Sequence, residues 1–97
     1  MPVAMLPSRG HYPLLVLARR RLADQAAGVA EGEQGWVYQD ELTRLLRMDD
    51  NHLNISVHRA RAQLSRLGVH DAASLVERRT GSRQLRIGPR SLEIVTA

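Results

Sequence analysis

Apolar and polar residues alternate along this chain with a period that predicts three helices. Over residues 13–30, apolar side chains recur at helical spacing. A second helix opens at Gln39 or Asp40, where early acidic residues favour the positive end of the helix dipole. A third helix is expected over about 52–67. Gly68 follows this segment and should end the helix, because glycine adopts a left-handed conformation at no steric cost.

Each predicted helix has one apolar face for the core. These faces are, in chain order, Leu14, Leu15, Ala18, Leu22, Ala26 and Val29, then Leu42, Leu45 and Leu46, then Leu53, Val57, Ala60, Leu64 and Leu67. The consecutive arginines Arg19–Arg21 are expected on the solvated side of the first helix. Residues 49–51 break the second helix and can cap the third. About four residues then join the two helices, which is helix-turn-helix spacing.

Short extended segments complete the pattern. Residues 75–79 and 84–88 are expected to be strands joined by a glycine-containing turn at 80–83, with Leu85 and Ile87 on one face and Arg86 on the other. Two more extended segments are expected at 36–38 and 91–95. This order predicts a mainly α protein with a small antiparallel β-sheet (α+β), namely a winged helix-turn-helix with three helices and a C-terminal β-hairpin wing.

The start of the chain differs from the rest. Residues 1–11 contain two prolines and a glycine and are expected to be a lead-in segment or a short edge strand. We therefore predict a lead-in at 1–11 and one winged-helix domain at 12–97. A chain of 97 residues is long enough for a single small core.

Composition argues against several classes of function. There is no cysteine, which excludes disulfides and thiolate metal sites. The four histidines are scattered without zinc spacing, and neither a phosphate-binding glycine loop nor a pair of catalytic acids is recognisable. We therefore expect no enzyme, no metal and no cofactor. No apolar run is long enough to span a membrane and no signal-peptide pattern is present, so a cytoplasmic location without membrane contact is expected.

The positive charge is concentrated in one part of the chain. All 14 basic residues are arginines, and the formal net charge is +4. Residues 1–50 hold 6 arginines and 7 acids, whereas residues 51–90 hold 8 arginines and only Asp71 and Glu77 as acids. Such an asymmetric distribution of charge favours a polyanionic partner. A coding bias that scatters arginine through the sequence could produce the same distribution without any such partner.

The third helix carries this charge on one surface. His58, Arg59 and Arg66 lie opposite its apolar face, with the small residues Ala62 and Ser65 between them, so the helix can approach a DNA groove closely. Arginine forms paired hydrogen bonds with guanine and ionic contacts with phosphate. Asn54 and Arg61 lie on the flank, and Arg79, Arg83 and Arg86 of the hairpin can add backbone contacts. Ile55 falls on the exposed side: either the helix begins after it, or it contacts a partner.

Three stretches carry a family resemblance. WVYQDELTRLL, ISVHRARAQL and LVERRTGSRQLRI resemble the second helix, the recognition helix and the wing of OmpR/PhoB-type response-regulator effector domains, and of the similar domains of Streptomyces antibiotic regulatory proteins. The resemblance covers about half of the chain, from Trp36 to Ile87. It implies that the third helix lies in the DNA major groove and that the wing tip reaches the minor groove.

The resemblance also implies roles for individual residues. Arg59 matches an arginine that reaches base edges, and Arg61 matches one that holds phosphate. His58 and Ser56 fall where that family contacts phosphate. In the wing, Thr80 stands where the family often has arginine, with Arg79 before it and Arg83 after the turn.

Two functional hypotheses follow. The first is a DNA-binding module for double-stranded DNA, the C-terminal effector part of a bacterial transcriptional regulator. It would be part of a longer signalling chain and would respond to a neighbouring regulatory domain. The alternative is a winged-helix protein-interaction or adaptor module of a multidomain signalling protein that does not bind DNA. Salt-dependent affinity for duplex DNA distinguishes the two.

Overall fold

A computed structural model describes residues 4–7, 12–66, 72–89 and 92–95. Within these ranges the chain forms three α-helices and a three-stranded antiparallel sheet, which confirms the predicted α+β class. The helices are α1 (Tyr12–Ala26), α2 (Gln39–Leu46) and α3 (Asp50–Arg66). The strands are β1 (Ala4–Pro7), β2 (Val37–Tyr38), β3 (Val76–Arg79), β4 (Gln84–Ile87) and β5 (Leu92–Val95). Short 3₁₀ turns lie at Glu31–Glu33 and Ala72–Leu75.

The first helix ends four residues before its predicted end at residue 30. Gly28 takes a positive φ of 78°. Its N–H donates to the carbonyl of Gln25 at 3.1 Å, and the N–H of Val29 donates to that of Asp24 at 3.0 Å. This pair of hydrogen bonds satisfies carbonyls that a helix end leaves unpaired. The glycine therefore ends α1, although the apolar spacing continues to Val29.

A tight turn joins α2 to α3, as the sequence predicts. Arg47 takes the left-handed conformation, with φ 53°, and the N–H of Met48 donates to the carbonyl of Thr43 at 3.0 Å. Asp49 caps the next helix, because its Oδ1 accepts the N–H of His52 at 2.7 Å. Helix α3 thus begins at Asp50, two residues before its predicted start. The predicted cap at Gly68 lies outside the described residues.

The antiparallel sheet has the strand order β2-β4-β3. In β4, Leu85 pairs with Val37 of β2 on one side and with Arg78 of β3 on the other. The four-residue turn at 80–83 joins β3 to β4 and has Arg83 at a positive φ of 54°. The N–H of Gln39 donates to the carbonyl of Arg83 at 2.8 Å, which ties the hairpin turn to the start of α2.

The two ends of the described chain pair with each other. Strand β1 lies parallel to β5, with Ala4 opposite Leu92 and Pro7 opposite Val95. Residues 4–7 are thus a strand, one of the two forms expected for the lead-in segment. A boundary of the domain at residue 11 remains a prediction.

The core lies between the helices and the inner face of the antiparallel sheet. Its buried apolar side chains are Leu14, Leu15, Leu17, Ala18, Val37, Leu42, Leu53, Val57, Ala60, Leu75, Val76, Leu85 and Ile87. Three predictions about this core are wrong. Ala26 at the end of α1 and Leu45 of α2, which is 64% exposed, are exposed instead of lying in the apolar faces of their helices. Arg21 is completely buried instead of lying on the solvated side of α1.

Candidate nucleic-acid interface

An outward stripe runs along α3, formed by Ile55, Arg59, Ala62 and Arg66. Spacings of four, three and four residues keep these side chains on one side of a helix that turns 3.6 residues at a time. All four are exposed, and Leu53, Val57 and Ala60 on the opposite side are buried. The sequence prediction that Arg59 and Arg66 face outward is confirmed.

The two arginines of the outward stripe differ from most arginines of the described residues in their lack of polar partners. Within the described part of the chain, neither Arg59 nor Arg66 has a hydrogen bond or an ion pair, in contrast to most other arginines there. Between residues 51 and 66 the sequence has no acidic residue. His58, also exposed, lies beside the stripe. This surface therefore offers two cations to an external anion.

The other candidates on α3 lie off the stripe and are partly engaged in the fold. Arg61 is only half-exposed, and its Nη2 donates to the carbonyl of Val76 in β3 at 3.4 Å. Asn54 is exposed, and its Oδ1 accepts a hydrogen bond from Nη2 of Arg78 at 3.0 Å. Ser56 is half-buried. Arg61 and Asn54 thus connect α3 to β3, and any DNA contact by them would be in addition to this role.

Two arginines of the hairpin, Arg79 and Arg86, contact the loop that precedes β2. The guanidinium carbons of Arg79 and Arg86 lie 4.1 and 4.5 Å from the centre of the Trp36 ring, within the range of cation–π attraction. Arg79 also donates to the carbonyl of Gly32 at 2.9 Å, and Arg86 donates to the carbonyl of Glu31 at 2.9 Å. Arg86 is nearly buried, although it lies on the other side of β4 from Leu85 and Ile87, as predicted.

Arg83 at the hairpin turn is held by acids at the starts of two helices. Its Nη2 lies 3.1 Å from Oδ2 of Asp50 in α3 and 3.8 Å from Oδ1 of Asp40 in α2. The Arg83 side chain is 58% exposed, so solvent screens this pairing and it contributes little to stability. Thr80, at the start of the turn, is exposed.

A small open pocket of about 210 Å³ lies beside this turn. It is lined by Gln39, Arg78, Arg79, Thr80, Arg83 and Gln84. All three of its arginines are already bonded to an acid, a carbonyl or an amide oxygen. The pocket is therefore less available to an anion than the outward stripe of α3.

Arg21 is the important residue that the sequence prediction placed wrongly. Its Nη1 donates to the carbonyls of Ile87 at 2.9 Å and Gly88 at 2.8 Å, and its Nε donates to Oε1 of Gln34 at 3.4 Å. Gly35 packs directly on it: a Cβ at this glycine would lie 2.8 Å from Cβ of Arg21. Arg21 thus links α1 to the end of β4, and this position supports the sheet from which the hairpin projects.

A signal for this burial was present in the sequence. Arg21 follows Leu14, Leu17 and Ala18 at spacings of seven, four and three residues, which puts it on the buried side of α1. The charge of arginine favours a solvated position, whereas the spacing places Arg21 on the buried side, and in the fold the spacing decides. A buried arginine requires oxygen acceptors, and these come from residues distant in sequence.

The described residues contain no group of three or more histidine, aspartate or glutamate side chains that could hold a metal ion. Among the helices described, none has both the length and the apolar character needed to cross a membrane.

Comparison with protein-family models, with curated proteins and with solved structures finds no match to this chain.

Proposed function

We propose that this domain is a DNA-binding winged-helix module, with α3 in the major groove of duplex DNA and the β3–β4 hairpin as a wing beside the DNA backbone. The observation that best supports the proposal is the pair Arg59 and Arg66, both exposed on the outward stripe and both without an intramolecular partner in the described chain. The fold does not need these cations for its own contacts, so they are available to bind a polyanion.

The size of α3 suits this role. Its 17 residues extend about 25 Å at 1.5 Å per residue. A helix with its side chains is about 10–12 Å wide, close to the roughly 12 Å width of the major groove. Ala62, between the two arginines of the outward stripe, adds little bulk, so the helix can come close to the base edges.

Arginine is suited to both kinds of contact that DNA offers. Its planar guanidinium donates two parallel hydrogen bonds to O6 and N7 of guanine, and each such pair discriminates against a wrong base by about 1–3 kcal/mol. Against phosphate, its charge releases condensed counterions and makes the affinity depend on salt. Arg59, at the middle of α3, is proposed to reach bases, and Arg66 and His58 to contact base edges or phosphate.

The hairpin would supply further backbone contacts. Arg83 and Thr80 are exposed at its turn, and the turn is fixed to α2 by the hydrogen bond from Gln39. Arg83 would exchange Asp50 for a phosphate oxygen when DNA approaches. Arg79 is held against Trp36 and Gly32, so its contribution to affinity should be smaller than that of Arg83.

The proposed setting is bacterial transcription regulation. The module would act in the cytoplasm as the C-terminal effector part of a regulator and would need no cofactor. It would catalyse no reaction itself. A neighbouring regulatory domain would control its access to DNA.

The test is fluorescence anisotropy with a short random-sequence duplex at about 50 and about 200 mM salt. Wild type should bind more weakly at the higher salt. The double variant Arg59→Gln/Arg66→Gln should weaken binding to the duplex, and it should lower the slope of log affinity against log salt by about 0.9 for each of the two arginines that contacts phosphate. Arg61 is left intact because it contacts β3.

A matched control removes two other charges. Arg19→Gln/Arg20→Gln takes the same charge from the exposed side of α1, so it should leave most of the affinity and slope unchanged. If both double variants weaken binding equally, net charge alone would account for the binding, and α3 would not be the interface. If wild type does not bind even at low salt, the proposal is wrong.

A protein-interaction module is the second candidate. It is favoured by the large apolar side chains that are exposed among the described residues, Tyr38 at 56%, Leu45 at 64% and Ile55 at 41%. Such residues are ordinary when they occur singly, but they contribute to protein interfaces when a partner covers them. Absence of DNA binding, together with protection of these residues in the presence of a neighbouring regulatory domain, would favour this function.

A further inference from the structure

The outward stripe of α3 contains one large apolar residue. Ile55 is 41% exposed, one turn before Arg59 and on the same side of the helix. The residues around it on the exposed side of α3 are polar, charged or small, and include His58, Arg59 and Ala62. The helix already runs from Asp50, so the exposure of Ile55 cannot be explained by a later helix start. The fold therefore leaves an apolar side chain exposed at the N-terminal end of the outward stripe, on the proposed DNA-facing surface.

The major groove offers one apolar group to such a side chain. Each A·T pair presents the C5-methyl group of thymine there, and every other group on the groove edges that distinguishes the base pairs is a hydrogen-bond donor or acceptor. Isoleucine is branched at Cβ and holds essentially one χ1 rotamer in a helix. Ile55 is thus a rigid apolar projection, which loses little conformational freedom when it packs against a methyl group.

We infer that Ile55 is a specificity-determining residue that recognises thymine through its C5-methyl group. This inference rests on the proposed function, since it requires α3 to lie in the major groove. Ile55 and Arg59 are separated by about 6 Å along the helix axis. The thymine therefore lies within about two base pairs of the base that Arg59 contacts, given a rise of about 3.4 Å per base pair.

The inference is tested with DNA that differs only in the methyl group. Two duplexes of equal length are compared, one of alternating dA and dT and one of alternating dA and dU, each with wild type, Ile55→Ala and Gln63→Ala. Uracil lacks the thymine methyl but keeps the charge and the hydrogen-bonding groups. Gln63 is an exposed residue of α3 off the outward stripe and serves as the matched control. Circular dichroism verifies that each variant is folded.

Wild type should bind the thymine duplex about fourfold more tightly, the effect expected for one methyl group removed from water. Ile55→Ala should bind both duplexes equally, and Gln63→Ala should keep the thymine preference. Equal binding of both duplexes by wild type would overturn the inference, and so would a thymine preference retained in Ile55→Ala. Either result would leave the proposed function intact if salt-dependent binding persists. Absence of binding to both duplexes would instead refute the proposed function together with this inference.

Discussion

Replacing Arg21 by methionine should destabilise the domain far more than replacing the neighbouring Arg20 by methionine. Methionine has similar length and fills the space of the aliphatic part of the side chain, but it has no donor for the carbonyls of Ile87 and Gly88. Those two hydrogen bonds, at 2.9 and 2.8 Å, come from a charged donor that is completely shielded from solvent.

The magnitude follows from these contacts. A hydrogen bond to a charged group contributes about 1.5–3 kcal/mol, and a carbonyl left without a partner in a buried position costs about 1–3 kcal/mol. Removing the cation also removes its own desolvation cost, which offsets part of the loss. We expect Arg21→Met to lower the free energy of unfolding by about 2–4 kcal/mol, a large share of the roughly 5–15 kcal/mol typical of domains.

The assay is urea denaturation followed by circular dichroism and by the fluorescence of Trp36, the single tryptophan. The control is Arg20→Met. Arg20 is exposed and makes one surface ion pair, at 2.9 Å with Glu41, so its replacement should cost at most about 1 kcal/mol. Equal effects of the two substitutions on the urea midpoint would refute the argument that Arg21 is a buried structural link between α1 and the sheet.

Three further substitutions have predicted outcomes. Arg47→Gly should raise the free energy of unfolding by up to about 1 kcal/mol in urea denaturation, because Arg47 has a left-handed conformation that glycine adopts without strain. Gly35→Ala should lower the free energy of unfolding by more than about 1 kcal/mol, because Gly35 has a φ of 77° and packs against Arg21. Gly32→Ala is the control, because there is open space around Gly32. Asp50→Asn should raise DNA affinity by up to about fivefold in anisotropy titrations, because it removes the closer of the two acids that hold Arg83 and a negative charge at the start of α3.

Each of these predictions has a contrary result. Destabilisation by Arg47→Gly would mean that the arginine makes a compensating contact that outweighs its backbone strain. Similar losses in Gly35→Ala and Gly32→Ala would mean that the approach of Arg21 to Gly35 is unimportant. Unchanged or weaker DNA binding by Asp50→Asn, in a folded protein, would mean that Arg83 does not contribute to binding.

Local pattern predicted most of the secondary structure because the underlying signals are local. Helix α2, both strands of the hairpin and the tight turn before α3 lie within two residues of their predicted positions. The predicted first helix is longer than α1 because the apolar periodicity continues to Val29, whereas Gly28 ends the helix. Leu45 departs from the predicted apolar face because a short helix of 8 residues buries a narrow face, and Leu42 at its centre is the fully buried residue.

The partners of the arginines could not be predicted in the same way. Arg21 binds carbonyls 66 and 67 residues away, and Arg86 binds a carbonyl 55 residues away. Such contacts depend on how the helices and the hairpin pack together, which composition and spacing do not specify. The outward direction of Arg59 and Arg66 was predictable, because it depends only on the helical period relative to the buried residues of α3.

The most direct test of the central claim is NMR titration of the ¹⁵N-labelled protein with a short duplex, following backbone amides and the Nε–Hε signals of arginine. The largest shifts should fall on the outward stripe of α3, including the side chains of Arg59 and Arg66, with smaller shifts at the 80–83 turn. The amides of α1 should remain almost unchanged. Shifts concentrated on α1 or on the loop before β2, with α3 unaffected, would mean that α3 is not the DNA-binding surface.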